Sequence, residues 1–518
     1  MNLHRLRSLI LAAGLTCSLV PAFGQAPKAL PPKPLDSLAA LQTRFAEQLA
    51  QPRSAAAAWG IKIISLETGR TLFETNAHKL LKPASNAKLF TGALALDRLG
   101  PDFRSRTSLY ASARPDAAGT LAGDLIVFGR GDPSLAARFH AGDYSQALDS
   151  LASALLTAGV KRIQGDLIGD ESYFRGPPLG IGWSWDDLQN SYGAEVSALT
   201  VEDNVMDIIL RPGRAPGEPC RLTRKPDTAF LNFINHTTTV AKGGTRPIQL
   251  YRPLGENTVH LFGSLATEDP AHVDAVAVHQ PALWAVTLLK EALAKRGLTV
   301  AGKVRSVNWL ERDAAPFDYS QLVEIAAVNS RPLSEILGKM LKPSQNLYAQ
   351  LLLLQVGART QKAATRQETT EDLGLRALAS FLTEAGVNRG EVLLEEGSGL
   401  SRGGLVTPNA TVTLLRHLAR HRHAAVFRDA LPIAGVDGTL RTRFKDTAAE
   451  KNVVAKTGTL RFVNALSGYA TSAAKEPLAF SILLNNYSPS DPNWSGRAEV
   501  DALVTALASL TAHSGKAD

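Results

Sequence analysis

Three short polar motifs, far apart but in a fixed order, constrain this chain more than any bulk property: Ser85-Asn86-Ala87-Lys88, Ser344-Gln345-Asn346 and Lys456-Thr457-Gly458. If they act together, the fold must gather three distant segments around one cleft, as an acyl-transferring serine enzyme requires. Singly each motif is weak, because the chain also carries Ser472-Ala473-Ala474-Lys475 and Ser306-Val307-Asn308. Sequence context separates them. Ser85 opens the apolar series Leu89, Phe90, Ala93, Leu94, Leu96 and Leu99 at helical spacing, stopped by Gly100-Pro101. Ser85 and Lys88 are therefore expected on one face of the first turn of a buried helix. Ser472 lies instead between two apolar runs, where a hairpin turn is expected and no helix follows.

A serine hydroxyl is a poor nucleophile at neutral pH and needs a base within hydrogen-bond reach. Lys88 can serve when burial and a neighbouring cation, such as Lys456, lower its pKa. Free N–H groups at the helix start would stabilise negative charge developing near Ser85. Ser344 and Asn346 follow the helical series Ile336, Leu337, Met340 and Leu341 and precede Leu347 to Val356, with Pro343 separating the two. That places them on a loop or tight helix start facing a cleft. There the Ser344 hydroxyl can relay a proton to a leaving amine, and the Asn346 amide can bond both substrate backbone and Lys88. Lys456-Thr457-Gly458 ends a strand, and Gly458 leaves room for close backbone approach. A peptide laid along that strand edge would bring its terminal carboxylate to Lys456 and Thr457. The N–H groups of Thr459 and Ser85 would then form the oxyanion hole. Each motif by itself reads more simply as a helix cap, a turn residue or a strand end, so the joint reading rests on order and context.

Arg5 and Arg7, the apolar stretch Leu9 to Val20 and the small-residue end Ala22-Phe23-Gly24 have the form of a secretory signal peptide, cleaved before Gln25. Thr16 before Cys17 fits a lipoprotein signal poorly. The apolar stretch falls short of the roughly 20 residues that span a bilayer. The expected product is exported, periplasmic or secreted, with no stable membrane anchor. Cys220 is then the only cysteine, which precludes an intramolecular disulfide. Losing Arg5 and Arg7 leaves 54 basic against 48 acidic residues, a net charge of +6 rather than +8. With no basic run interleaved with aromatics, nucleic acid is not an expected partner, and the excess suits only weak attraction to anionic envelope polymers.

A helix over Leu38 to Leu49 is expected, then a hairpin of Ala58 to Leu66 and Thr71 to Glu74 about Glu67-Thr68-Gly69. Far downstream, Val453 to Lys456, Ala465 to Thr471 and Leu478 to Leu484 read as three antiparallel strands. A last helix presents Val500, Leu503, Val504, Leu507 and Leu510, better suited to packing on the sheet than to a membrane surface. The stretch between the first two motifs is rich in strand and turn signals and repeats a phrase, Gly123-Asp124-Leu125-Ile126 recurring as Gly165-Asp166-Leu167-Ile168. Coincidence in β-rich sequence accounts for such a match more readily than duplication. The expected organisation is a signal peptide (1–24), a first catalytic part (25–107), a β-rich insertion (108–318) and a second catalytic part (319–518).

The three motifs, their order, and the phrases Met340 to Ala349, Gly397-Ser398-Gly399-Leu400-Ser401-Arg402 and Ala434-Gly435-Val436-Asp437-Gly438-Thr439-Leu440 resemble the D-alanyl-D-alanine carboxypeptidases/endopeptidases of the penicillin-binding protein 4 type. That resemblance covers nearly the whole chain after the signal. It implies an α/β (α+β) fold, a β-lactamase/transpeptidase-like catalytic domain of an antiparallel sheet flanked by helices, interrupted by inserted domains. It further implies Ser85 as acylated nucleophile, Lys88 as its base, Ser344 and Asn346 as second-motif residues, and Lys456 as carboxylate and proton-network partner, with Thr457, Gly458 and Thr459 at the substrate. In that family an acidic and an aromatic residue of the insert approach the substrate's side-chain amine. The similar phrase Trp185 to Ala194 nominates Asp187 and Tyr192, with Asp186 competing. Two departures stand out: Glu396 replaces the usual Asp, and Gly403-Gly404 follow Arg402 where the family commonly has Asn.

The expected activity is that of an exported serine D,D-peptidase acting on peptidoglycan stem peptides, with no metal or cofactor, acylated by β-lactams as substrate mimics. Dimerisation is left open. A β-lactamase would share the motifs, but the extra length lies inside the catalytic domain and no separate carboxylate for fast deacylation is evident. A non-catalytic peptidoglycan-binding scaffold is the other alternative, and intact Ser85, Lys88, Ser344, Asn346 and Lys456 argue against it. His417, His421 and His423 raise a metallopeptidase reading, which Arg416, Arg420 and Arg422 disfavour by repelling a cation.

Overall fold

The computed structural model describes residues 35–360, 368–487 and 494–515. Residues 1–34, which include the expected signal peptide, lie outside the described residues.

The apolar runs at the two ends of the chain meet in one antiparallel five-stranded sheet, ordered Thr71–Thr75, Ala58–Ser65, Pro477–Asn485, Val463–Thr471, Val454–Leu460. Its central strands are buried on both faces, so their apolar residues divide by period two rather than alternating with polar ones. Leu466, Phe480, Ile482 and Leu484 face a core shared with the helices Leu38–Leu49 and Gly496–Ala508. Ala465, Ala479 and Leu483 face a second core shared with the helices Ala87–Leu99, Leu333–Leu341, Asn346–Thr360 and Pro408–Ala419. The decoy Ser472 to Lys475 occupies the turn between two strands of this sheet. Among the described residues, no helix is long and apolar enough to cross a membrane.

Helix Ala87–Leu99 runs through the middle of the second core, and every residue from Ala87 to Leu96 is buried. An element apolar all round must be enclosed on all sides, and neighbouring helices supply that enclosure. Gly100, at φ 80°, ends the helix as Gly100-Pro101 foretold.

Residues 106 to 329 build several further sheets. The strand Arg106–Ala111 pairs antiparallel with Val323–Asn329, Arg106 opposite Asn329, so the two ends of this long excursion lie side by side. The repeated phrase has a structural meaning. Leu125 and Ile126 pair in parallel register with Leu167 and Ile168, and Leu167 pairs likewise with Val304. Three arches are thus stacked, bending at Gly123, Gly165 and Gly302. Asp124 Oδ1 accepts from the Asp166 N–H at 2.7 Å, and Asp166 Oδ1 accepts from the Lys303 N–H at 2.8 Å. The glycines permit this spacing, since a Cβ at Gly302 would stand 2.3 Å from the Gly165 carbonyl oxygen.

Two glycine replacements should therefore have opposite signs. Gly302→Ala is expected to lower Tm, because backbone must move. Gly338→Ala, inside a helix with nothing within 4 Å of its added Cβ, is expected to stabilise by about 0.5–1 kcal/mol. Thermal unfolding of both variants checks the pair.

Candidate active site

The three motifs converge. Ser85 sits in a single 3-10 turn, Ala84–Asn86, that leads into the buried helix. Ser344 is the link between the helices Leu333–Leu341 and Asn346–Thr360. Lys456, Thr457 and Gly458 lie within Val454–Leu460, the edge strand of the main sheet. Ser85 and Ser344 are half-buried, whereas Lys88, Asn346 and Lys456 are buried behind them.

Lys88 Nζ lies 2.9 Å from Ser85 Oγ and donates to Asn346 Oδ1 at 2.6 Å and to the Ser398 carbonyl at 2.7 Å. A neutral amine has two hydrogens and one lone pair. With both hydrogens engaged by Asn346 and Ser398, the lone pair is directed at the Ser85 hydroxyl. Burial pushes Lys88 down to about 7, opposed by the Glu396 carboxylate. Lys456 Nζ donates to Ser344 Oγ and to the Thr457 carbonyl, both at 2.8 Å. Burial, and then the charge of Lys88, hold Lys456 well below the ordinary lysine range. Burial and mutual repulsion thus disfavour two ammonium groups at once, and an anion arriving beside Lys456 would favour its charged form.

Close packing fixes the turn that carries Ser85. Ala84 has φ 47°, and Gly399, at φ 79°, lies so near that a Cβ there would stand 2.0 Å from the Ala84 carbonyl oxygen. Gly458 does admit a close backbone approach, but the neighbour is the chain's own Pro83, whose carbonyl oxygen would be 2.5 Å from an added Cβ. Asn86 Nδ2 donates to Ser467 Oγ at 2.7 Å, tying the turn to the sheet. Thr457 Oγ1 lies 2.8 Å from Thr439 Oγ1, which brings the Ala434 to Leu440 phrase to the motif. Thr459 is exposed near the end of the same edge strand, opposite Asn464.

The phrase around Gly397 acts through its backbone. The Glu396 carboxylate, 1 % exposed, accepts from the N–H groups of Ser398 at 2.7 Å and Gly399 at 2.5 Å, and more distantly from Ser401 at 3.4 Å. It thereby shapes the loop that offers Ser398 O to Lys88. Sequence reasoning noted Glu396 only as a departure and did not see this role, nor that of the Ser398 carbonyl.

Asp187 and Tyr192 are near the motifs in different ways. Tyr192 is half-exposed, and its carbonyl accepts from Asn346 Nδ2 at 2.8 Å. Burial first, then Asp187 and Asp186, push its hydroxyl upward. Asp187 is 5 % exposed and accepts from Arg402 Nη1 at 2.7 Å, while Asp186 faces solvent. Arg402 also donates to Ser184 Oγ at 2.6 Å. The histidines are elsewhere: His421 Nε2 lies 3.1 Å from Asp97 Oδ1, and Arg422 Nε donates to His423 Nε2 at 3.1 Å.

A serine, a buried amine within hydrogen-bond reach of it and a second amine on a sheet edge, carried on this mixed α/β fold, are the groups that acyl transfer by a serine peptidase calls for. The chain belongs to the D-Ala-D-Ala carboxypeptidase 3 (S13) family, whose sequence pattern matches residues 41–507. It is 35% identical over 477 residues to a D-alanyl-D-alanine carboxypeptidase of Actinomadura sp. (strain R39), spanning 90% of this chain and 84% of that relative. The crystal structure of penicillin binding protein 4 from Haemophilus influenzae superposes with a TM-score of 0.74 at 28% identity, over 89% of this chain and 97% of that one. The same Haemophilus protein complexed with a β-lactam gives a TM-score of 0.69 at 26% identity, over 89% and 96%. The chain is accordingly a serine D-Ala-D-Ala carboxypeptidase of the penicillin-binding protein 4 type, with the mixed α/β fold that the motifs implied.

Lys88 binds fewer protons when folded than at its ordinary value of 10.5, so its contribution to stability rises with pH between about 7 and 10.5 and is flat below. The stability of native protein relative to Lys88→Met should therefore increase as pH is raised from 7 towards 10, read as the difference in Tm. Glu396→Gln removes the carboxylate that opposes the fall of the Lys88 pKa. The acidic limb of the acylation rate should then move to lower pH, read by stopped-flow acylation across pH 5 to 9.

Proposed function

We propose that this carboxypeptidase works through Ser85 as acylated nucleophile, and that it cleaves D-alanyl-D-alanine or D-alanyl-diamino-acid bonds of peptidoglycan stem peptides. The observation that carries this reading is the amine of Lys88, buried, 2.9 Å from Ser85 Oγ, with two fixed acceptors and a pKa brought to about 7. A lysine at its ordinary pKa would be a cation unable to accept the serine proton.

The peptide would lie along the edge of Val454–Leu460 beyond the Ile433–Val454 bridge, its terminal carboxylate at Lys456 and Thr457. Ser85 Oγ attacks the carbonyl of the penultimate D-alanine as its proton passes to Lys88. The N–H groups of Ser85 and Thr459 hold the oxyanion. Ser344, bonded to Lys456, relays a proton to the departing amine, and the C–N bond breaks to leave an ester on Ser85. Water then attacks that ester and restores the serine. Release of D-alanine is the carboxypeptidase reaction, and release of a cross-linked amine is endopeptidase action at the same site. Asn346 orients Lys88, and Asp187 with Tyr192 approaches the stem side chain. Penicillin enters as a mimic of the same acyl donor. The β-lactam complex of the Haemophilus relative supports that inference.

Export follows from the basic, apolar and small-residue order of residues 1–24 and from a substrate outside the cytoplasm. Residues 25–107 and 319–518 form the catalytic part in this reading, with 108–318 as the inserted module.

Incubation with penicillin followed by peptide mass spectrometry should give a stable adduct on Ser85 that is absent in Ser85→Ala. Lys88→Met should reduce the acylation rate by roughly 10²-fold or more, the scale of a lost general base. Folded native protein that forms no adduct and releases no D-alanine would overturn the assignment of Ser85, and sustained penicillin turnover would favour a β-lactamase.

A further inference from the structure

The loop that gives Lys88 its second acceptor is itself held by side chains away from the reacting atoms. Each backbone polar group from the Gly397 N–H to the Gly399 N–H has a partner. The Gly397 N–H donates to Gln350 Oε1 at 2.7 Å, and the Gly397 carbonyl accepts from Thr91 Oγ1 at 2.7 Å. The Ser398 and Gly399 N–H groups go to Glu396, and the Ser398 carbonyl goes to Lys88. A buried backbone segment demands such pairing. The loop is also pressed against the helix Asn346–Thr360, since a Cβ added at Gly397 would stand 2.7 Å from the Ala349 carbonyl oxygen.

Gln350 follows Asn346 by four residues on that helix, so the two amides share one face. Asn346 reaches Lys88 directly, and Gln350 holds the loop that reaches it. The two ends of an amide are nearly equal in size, so shape alone would let either the oxygen or the NH2 of Gln350 face Gly397. Only the oxygen can accept there, because the other orientation sets two donors against each other. Glu371 makes the choice. It is buried in the first turn of the helix Thr370–Glu384, and its Oε1 accepts from Gln350 Nε2. Burial pushes Glu371 up to about 7, yet an ionised and a neutral carboxyl group both keep an oxygen that accepts.

We infer that Glu371 is a positioning residue for acylation, setting the Gln350 amide so that the Gly397-Ser398 loop keeps its carbonyl on Lys88. This rests on the reading that Lys88 takes the Ser85 proton, and it deepens that reading by tracing the aim of the lone pair to a carboxyl group on another helix. If the Ser398 carbonyl drifts, one hydrogen of the Lys88 amine is released and the lone pair can turn away from Ser85. Proton transfer then slows, while the strand edge that would bind the substrate is untouched. The cost therefore falls on rate and not on binding.

Stopped-flow acylation by a penicillin separates the two, because it yields a limiting rate and an apparent dissociation constant. Glu371→Leu should lower the limiting rate by roughly tenfold or more and leave the dissociation constant within about twofold. Gln350→Met should give the same pattern, and it carries the test should Glu371→Leu not fold. Glu371→Gln keeps a carbonyl oxygen in a side chain of the same shape and should recover most of the rate. Native limiting rates in folded Glu371→Leu and Gln350→Met would overturn the inference, and so would a loss confined to the dissociation constant. Glu371→Gln as slow as Glu371→Leu would overturn the acceptor role. In each of these outcomes native protein is still acylated at Ser85. No adduct on Ser85 in native protein, or an unchanged rate in Lys88→Met, would instead overturn the reading of Ser85 and Lys88, and the role of Glu371 with it.

Discussion

The amine of Lys88 inside an apolar core is the constraint on which the rest of the structure depends. A lysine with no exposed surface in the middle of a helix bundle is a liability unless its hydrogens are accepted and its charge can be given up. Both conditions are met by segments that sequence keeps far apart. Asn346 supplies one acceptor from the start of a helix, Ser398 supplies the other from a loop carbonyl, and Glu396 shapes that loop. The core enclosing the helix, with residues such as Phe90, Leu337, Met340 and Leu351, is therefore also the medium that lowers the Lys88 pKa. The burial that stabilises the fold also sets the protonation of Lys88.

Much of this was legible because it lies in periodicity. The helix expected at Leu38 to Leu49 is found with those bounds, and Val463–Thr471 and Pro477–Asn485 cover the strands expected there, whereas Val454–Leu460 runs on through the Lys456-Thr457-Gly458 motif that was expected to end it, and the last helix, Gly496–Ala508, stops before Leu510. The motif residues were legible because their side chains carry the chemistry. What escaped notice is mostly backbone. The carbonyls of Ser398 and Tyr192 are features of conformation, and no residue type announces them. Gly458 was seen to invite a close approach, yet nothing in sequence could say that Pro83 would fill it. Two four-residue Gly-Asp-Leu-Ile matches in β-rich sequence read as coincidence, and the third arch, Gly302-Lys303-Val304-Arg305, keeps only the glycine, so sequence offers no third copy to reveal the repeat. Stacking constrains the bend far more than the side chains that follow it.

The long excursion between the motifs is coupled to the site by contacts that run through polar atoms. Tyr192 fixes the Asn346 amide through its carbonyl, and the same amide's oxygen orients Lys88. Arg402 joins the Gly397 loop to Asp187 and Ser184. Tyr348, two residues along the helix that Asn346 opens, donates to Asp203, which also holds Arg138. Movement of this region against the sheet would thus be felt at Lys88, because the Asn346 amide cannot turn without losing one of its two partners. In the proposed reading a carboxypeptidase needs only to bind a short D-alanyl end along a strand edge. The polar ties between the excursion and the second motif make sense when the rest of the substrate is also held. Energy gained from its distant groups is then spent on orienting the bond that breaks.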